Sequence, residues 1–209
     1  MIISFSGLDG SGKTTYSLAA LKYIKEKKID VKYMHMIKGS FYHLILNNFI
    51  GRFSKSSKSF LEEGLRGKKS RMAFFFTKLI KKILLFVNLI IFNIRYAGFK
   101  GDKKHNLICD RYFYDEIVQM RYLSLASERF VGIYKRLVIK PDIAFFIKVD
   151  PHLAFSRKLD AQKEYFQEKS VFFAELSRES NWIMLDAPDL EENRLLIYKT
   201  IEQLLAGTV

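Results

Sequence analysis

Eight residues near the start of the chain carry the most specific chemistry in the sequence. Gly7-Leu8-Asp9-Gly10-Ser11-Gly12-Lys13-Thr14 fits the pattern G-x-x-x-x-G-K-[ST] in full. A polyphosphate held by backbone N–H groups needs positions without side chains, which Gly7, Gly10 and Gly12 supply, with Ser11 between them. The helix expected to open near Lys13 points its first amides, through Thr14 and Thr15, at the anion. Lys13 can reach the β- and γ-phosphates, and the Thr14 hydroxyl can hold Mg²⁺. A glycine turn without a ligand is the plain alternative, and the flanks argue against it: an apolar strand precedes the loop and an amphipathic helix follows.

Further residues with chemical potential lie far along the chain. Asp110 closes the apolar run Asn106–Asp110, where a carboxylate at the end of a buried strand can reach Mg²⁺ or cap the next helix. Asp150 competes for that role, but Pro151 behind it marks a helix cap. Arg111 adjoins Asp110, and its guanidinium suits an acceptor phosphate or an ion pair with Asp9 or Asp115. Asp9 is unusual: a carboxylate inside a phosphate loop is costly unless Arg or Mg²⁺ pairs with it, which points to positioning of the acceptor. Arg157 precedes Lys158-Leu159-Asp160-Ala161-Gln162-Lys163, a basic segment able to close over donor phosphates or to end as a solvated helix.

The elements that must position these residues are legible as alternating runs. Strands are expected at 2–6, Val31–Met36, Asn106–Asp110, Asp142–Val149 and Trp182–Leu185, with helices at 14–27 and 189–206 and another starting near Phe113. Nearly all-apolar strands separated by helices indicate an α/β fold with a five-stranded parallel sheet covered on both faces. The interval 37–105 exceeds one crossover. It contains a short amphipathic candidate, Phe41–Phe49, and a long helix from Arg71 to about Gly98. Ile83–Ile94 is uncharged but spans 12 residues, against roughly 20 for a bilayer. Lys81, Asn88 and Arg95 recur at sevens, which predicts a core helix with one wet edge.

The 209 residues, 49% hydrophobic, are enough for one packed domain. A single cysteine, Cys109, excludes a disulfide framework, and no apolar leader opens the chain, so a cytoplasmic protein is expected. Net charge is +13, and 14 basic against 3 acidic residues lie in 51–104. That excess implies an anionic partner, with peripheral contact to an acidic membrane surface as one expectation. Nucleic acid is disfavoured because no recognisable module for it is present. A homodimer stays open.

With those motifs in place, the sequence resembles the thymidylate kinase family of P-loop nucleoside monophosphate kinases. The likeness rests on 7–15 with its acidic Asp9, on Asp110-Arg111-Tyr112, on Lys140 to Arg157, and on Leu185-Asp186-Ala187. It implies a three-layer P-loop fold over 1–209, with a basic helical acceptor-side region at 38–104 and a short lid at about 157–168. It also implies ATP and Mg²⁺ as cofactors, and a nucleotide donor and a phosphorylated small-molecule acceptor as partners. Ala187 would lie on the adenine side, and Tyr112, Asp115 and Gln119 on the acceptor side. The departures are also on the acceptor side. Lys38 is the one stand-in for the Arg that the family carries after its second strand, Asp115 replaces a common Ser, and Gln119 loosely matches a Tyr-Gln pair. Phosphoryl transfer to dTMP is the activity implied. A kinase of another small-molecule or lipid-linked sugar acceptor is the alternative, and a P-loop ATPase that binds nucleic acid is a third reading.

Overall fold

The computed structural model describes residues 1–36, 71–99 (side chains from 78), 105–158, 162–178, 182–186 and 190–207. The elements run β1 (Ile2–Gly7), α1 (Lys13–Glu26), β2 (Lys32–His35), α2 (Arg71–Tyr96) with a 3-10 turn (Ala97–Phe99), and β3 (Leu107–Asp110). There follow α3 (Phe113–Tyr122), α4 (Glu128–Leu137), β4 (Ile143–Lys148), α5 (Pro151–Arg157), α6 (Lys163–Arg178), β5 (Ile183–Asp186) and α7 (Leu190–Ala206). All strand pairings are parallel, in the order β2-β3-β1-β4-β5. Each expected strand is present, shifted by a residue or two at its ends. Helices α4 and α6 are not singled out by the sequence. The Phe41–Phe49 candidate lies outside the described residues.

Alternation along the strands divides the core in two. Ile3 and Phe5 of β1 and Phe145 and Ile147 of β4 face one side, with Tyr16, Ala20 and Ile24 of α1 and Ile197 and Ile201 of α7. Ile2, Cys109 and Phe146 face the other, beneath α2, α3, α4 and α6. Because β1 is central and flanked by β3 and β4, the loops leaving those three strands meet at the carboxyl edge of the sheet. Ligands of open α/β sheets bind at such an edge.

Helix α2 corrects the expectation of a wet-edged core helix. It buries Leu85, Asn88, Leu89, Phe92 and Tyr96, and leaves Ile83 and Ile94 exposed. The polar stripe exists, but Asn88 and Lys81 turn inward, toward α3, because a carboxylate waits there to receive them. Among the described residues no helix is long and apolar enough to cross a membrane. Most of the basic excess of 51–104 falls outside the described residues.

Candidate active site

The loop after β1 takes its shape from its glycines. Gly10 adopts φ +82°, and a Cβ there would lie 2.9 Å from the Ala154 carbonyl oxygen. At Gly7 a Cβ would meet the Ile147 carbonyl oxygen at 2.6 Å. The loop is thus pressed against β4 and α5, with no room for a side chain. Gly12 caps α1, no side-chain cap bond to the first amides of that helix is present among the described residues, and no acidic residue sits in its first turn. By contrast, Asp150 caps α5 through His152 N at 2.8 Å. An uncapped helix start with its positive dipole end at a glycine loop suits a bound phosphate.

Lys13 curls over this loop. Its ammonium donates to Gly7 O at 2.8 Å and Leu8 O at 2.6 Å and is 5% exposed. Burial lowers its pKa to about 8, against the attraction of Asp115 and Asp9. Thr14 Oγ1 donates to Asp110 Oδ2 at 2.6 Å, and Tyr33 OH donates to the same oxygen at 3.1 Å. Among the described residues the other oxygen, Asp110 Oδ1, is buried without a hydrogen-bond partner, as is Ser11 Oγ. A hydroxyl beside an unsatisfied carboxylate oxygen fits Mg²⁺, which takes one or two protein ligands and completes its shell with phosphates and water. Thr15 is exposed on the first turn of α1. Arg157, at the end of α5, reaches back to donate to Gly10 O at 3.3 Å. Ala187, Lys38 and lid residues 159–161 lie outside the described residues.

Across the loop lies a cavity of about 260 Å³, lined by Asp9, Arg111, Asp115, Gln119 and Lys169 among others. Arg111 donates to Asp9 Oδ1, and Tyr165 OH, from α6, donates to Asp9 Oδ2 at 2.6 Å. Burial pushes the Asp9 carboxyl up, but Arg111, Lys13 and the Tyr165 hydrogen bond outweigh it and hold Asp9 well below the usual carboxylate range. Asp115 Oδ2 accepts from Tyr112 N at 3.1 Å, while Oδ1 is buried without a partner among the described residues. Tyr112 also borders the cavity, yet its ring is fully buried and its hydroxyl donates to Ile139 O at 2.5 Å. Its phenol serves the core, edge-on to Phe92.

Several lining groups carry no sequence signal. Tyr165 and Lys169 come from α6, and Lys81 from α2. Glu116, on α3, accepts from Tyr134 OH and from Asn88 Nδ2 at 3.3 Å. Such residues belong to no motif, and their meeting depends on how α2, α4 and α6 pack on α3. Burial raises the Glu116 pKa from 4.5 to about 7, opposed by the Tyr134 hydrogen bond. Between those values the folded chain keeps a proton that the unfolded chain releases. Stability therefore falls as pH rises through that window and is level above it. In urea unfolding, wild type should lose about 2 kcal/mol more than Glu116→Gln between pH 5 and pH 8. Equal losses would show that Glu116 ionises normally.

A parallel sheet of this order, with a glycine loop and an uncapped helix leaving its central strand, defines the P-loop fold. Comparison with solved structures agrees at the level of fold. Deoxyadenosine kinase from M. mycoides, with bound dCTP, superposes with a TM-score of 0.57 at 15% identity, covering 97% of this chain and 100% of that one. No family model matches the chain. Its sequence is 30% identical over 193 residues to the probable thymidylate kinase of Methanocaldococcus jannaschii, covering 89% of this chain and 86% of that protein. It is 24% identical to the thymidylate kinase of Plasmodium falciparum over 88% of this chain and 81% of that one. The chain belongs to the thymidylate kinase family and is a nucleotide kinase, a phosphotransferase.

Proposed function

We propose that this kinase transfers the γ-phosphoryl group of ATP, with Mg²⁺, to a nucleoside monophosphate, and that dTMP is the acceptor. The observation that carries this reading is the Asp9–Arg111 pair standing between the phosphate loop and the 260 Å³ cavity. Amides of Gly7, Gly10, Ser11, Gly12, Thr14 and Thr15 and the Lys13 ammonium bind the donor, with Ala187 at its adenine end. Thr14 and Asp110 would hold Mg²⁺, which would supply positive charge against the donor phosphates. Arg157, at the end of α5, serves the transferred group; the lid at about 157–168 and the acceptor-side region at 38–104 are assigned from the sequence and extend outside the described residues. Arg111, with Asp9 fixing its guanidinium, orients the acceptor phosphate, and Tyr112, Asp115 and Gln119 border the rest; Lys38 is an acceptor-side candidate from the sequence alone. A phosphate oxygen is already ionised, so positioning and electrostatics supply the catalysis and no general base is needed.

A coupled ADP-release assay over nucleotides, nucleosides and sugars tests this. Turnover that depends on dTMP is the expected result, and turnover with a sugar or a nucleoside alone would replace the acceptor. One observation favours a second reading, a hydroxyl acceptor. An alcohol needs a base within hydrogen-bond reach, and Asp115 Oδ1 is buried at the cavity without a partner among the described residues. If the acceptor is an alcohol, Asp115→Asn removes turnover while ATP binding survives. If it is a monophosphate, the same variant still turns over, with its defect in acceptor KM and not in the chemical step.

A further inference from the structure

The acceptor cavity contains a buried cation that belongs to none of the motifs. Lys169 lies on α6, is 6% exposed and lines the cavity together with Arg111 and Asp9. Its ammonium donates to Tyr165 OH at 2.7 Å and stands 4.3 Å from the centre of the Tyr165 ring. Tyr165 passes the chain of hydrogen bonds on to Asp9. An ammonium has three N–H donors, and among the described residues Tyr165 is the one hydrogen-bond acceptor it meets. A buried charge so thinly satisfied is costly, and the fold keeps it where α6 faces the phosphate loop.

Charged and titratable groups face Lys169 from every side. Asp9 comes from the loop after β1, Arg111 from the end of β3, Lys13 from α1 and Asp115 from α3. The Tyr122 ring, also on α3, is 6.0 Å away. Burial lowers the Lys169 pKa to about 8, against the attraction of Asp9 and Asp115 and with the repulsion of Arg111 and Lys13. A dianionic phosphate entering beside Arg111 would supply the missing acceptor oxygens and hold the ammonium protonated.

We propose that Lys169 is a second cation for the acceptor's phosphate, acting with Arg111 to grip a phosphomonoester dianion. This deepens the monophosphate-kinase reading above and rests on it. Tyr165 then stores the ammonium next to its target while the cavity is open. A neutral hydroxyl acceptor would have no use for that charge.

The test compares wild type, Lys169→Met and Lys169→Arg in steady-state kinetics, and binding of dTMP against thymidine by calorimetry. Lys169→Met should raise the acceptor KM about 10- to 100-fold, the loss of one charged hydrogen-bond partner. It should leave the ATP KM within about 2-fold, on the scale of an untouched contact. Its binding defect should appear with dTMP and not with thymidine. In wild type the dTMP KM should climb above pH 8, and more steeply than in Lys169→Arg, whose charge at this position persists. Lys13 is common to both proteins, so their difference isolates Lys169. If wild type phosphorylates dTMP but Lys169→Met leaves its KM unchanged, or the alkaline rise in Lys169→Arg is as large as in wild type, the inference falls and the kinase assignment stands. If wild type phosphorylates no monophosphate, both fall.

Discussion

Lys13→Ala should reduce kcat by about 10²- to 10³-fold, the scale for losing one preorganised charge at a developing phosphoryl transition state. The physical ground is its placement. The ammonium is anchored to two loop carbonyls, shielded from water, and 3.9 Å from Asp9. In such surroundings an interaction with phosphate is much stronger than in bulk solvent, and no reorganisation is needed when charge shifts. Lys13→Arg should recover little, because a planar guanidinium does not fit a slot that leaves the side chain 5% exposed. The coupled assay reads the rate, and calorimetry with MgATP reads donor binding, which should weaken in parallel. Activity within a few-fold of wild type would remove Lys13 from the phosphoryl site, and the proposed mechanism with it.

Substitution of Arg111 should separate activity from stability. Its backbone has φ +69°, a left-handed conformation that costs a non-glycine residue about 1–2 kcal/mol. Strain of this kind persists where surrounding structure holds it, and here the guanidinium is tied to Asp9. Arg111→Ala keeps the strained backbone and loses the fork. Arg111→Gly loses the fork and relieves the strain. Both should cost about 10²- to 10³-fold in kcat/KM for the acceptor. In chemical denaturation the glycine variant should be more stable than the alanine variant by about 1 kcal/mol. If the alanine variant were the more stable of the two, the turn after β3 would not be strained. If either retained acceptor kcat/KM near wild type, Arg111 would be no more than a structural partner for Asp9.

What the residues determined alone were the local features that repeat a pattern. The phosphate loop announces itself because a backbone cradle demands glycines at fixed offsets. The parallel strands do so because burial on both faces makes them continuously apolar. Asp110 and Arg111 could be placed at the carboxyl edge because they end such a run. Tertiary structure decided the far wall of the cavity. Lys169, Tyr165, Lys81 and Glu116 are ordinary helical residues whose neighbours in space lie on other helices. The polar stripe of α2 was readable as a stripe, but whether it met water or a buried carboxylate depended on which way the helix rolled against α3. Tyr112 adjoins the motif arginine, yet rotamer and packing sent its ring into the core. Periodicity reports which residues share a face; it is the free energy of packing one face against another that selects what each face meets.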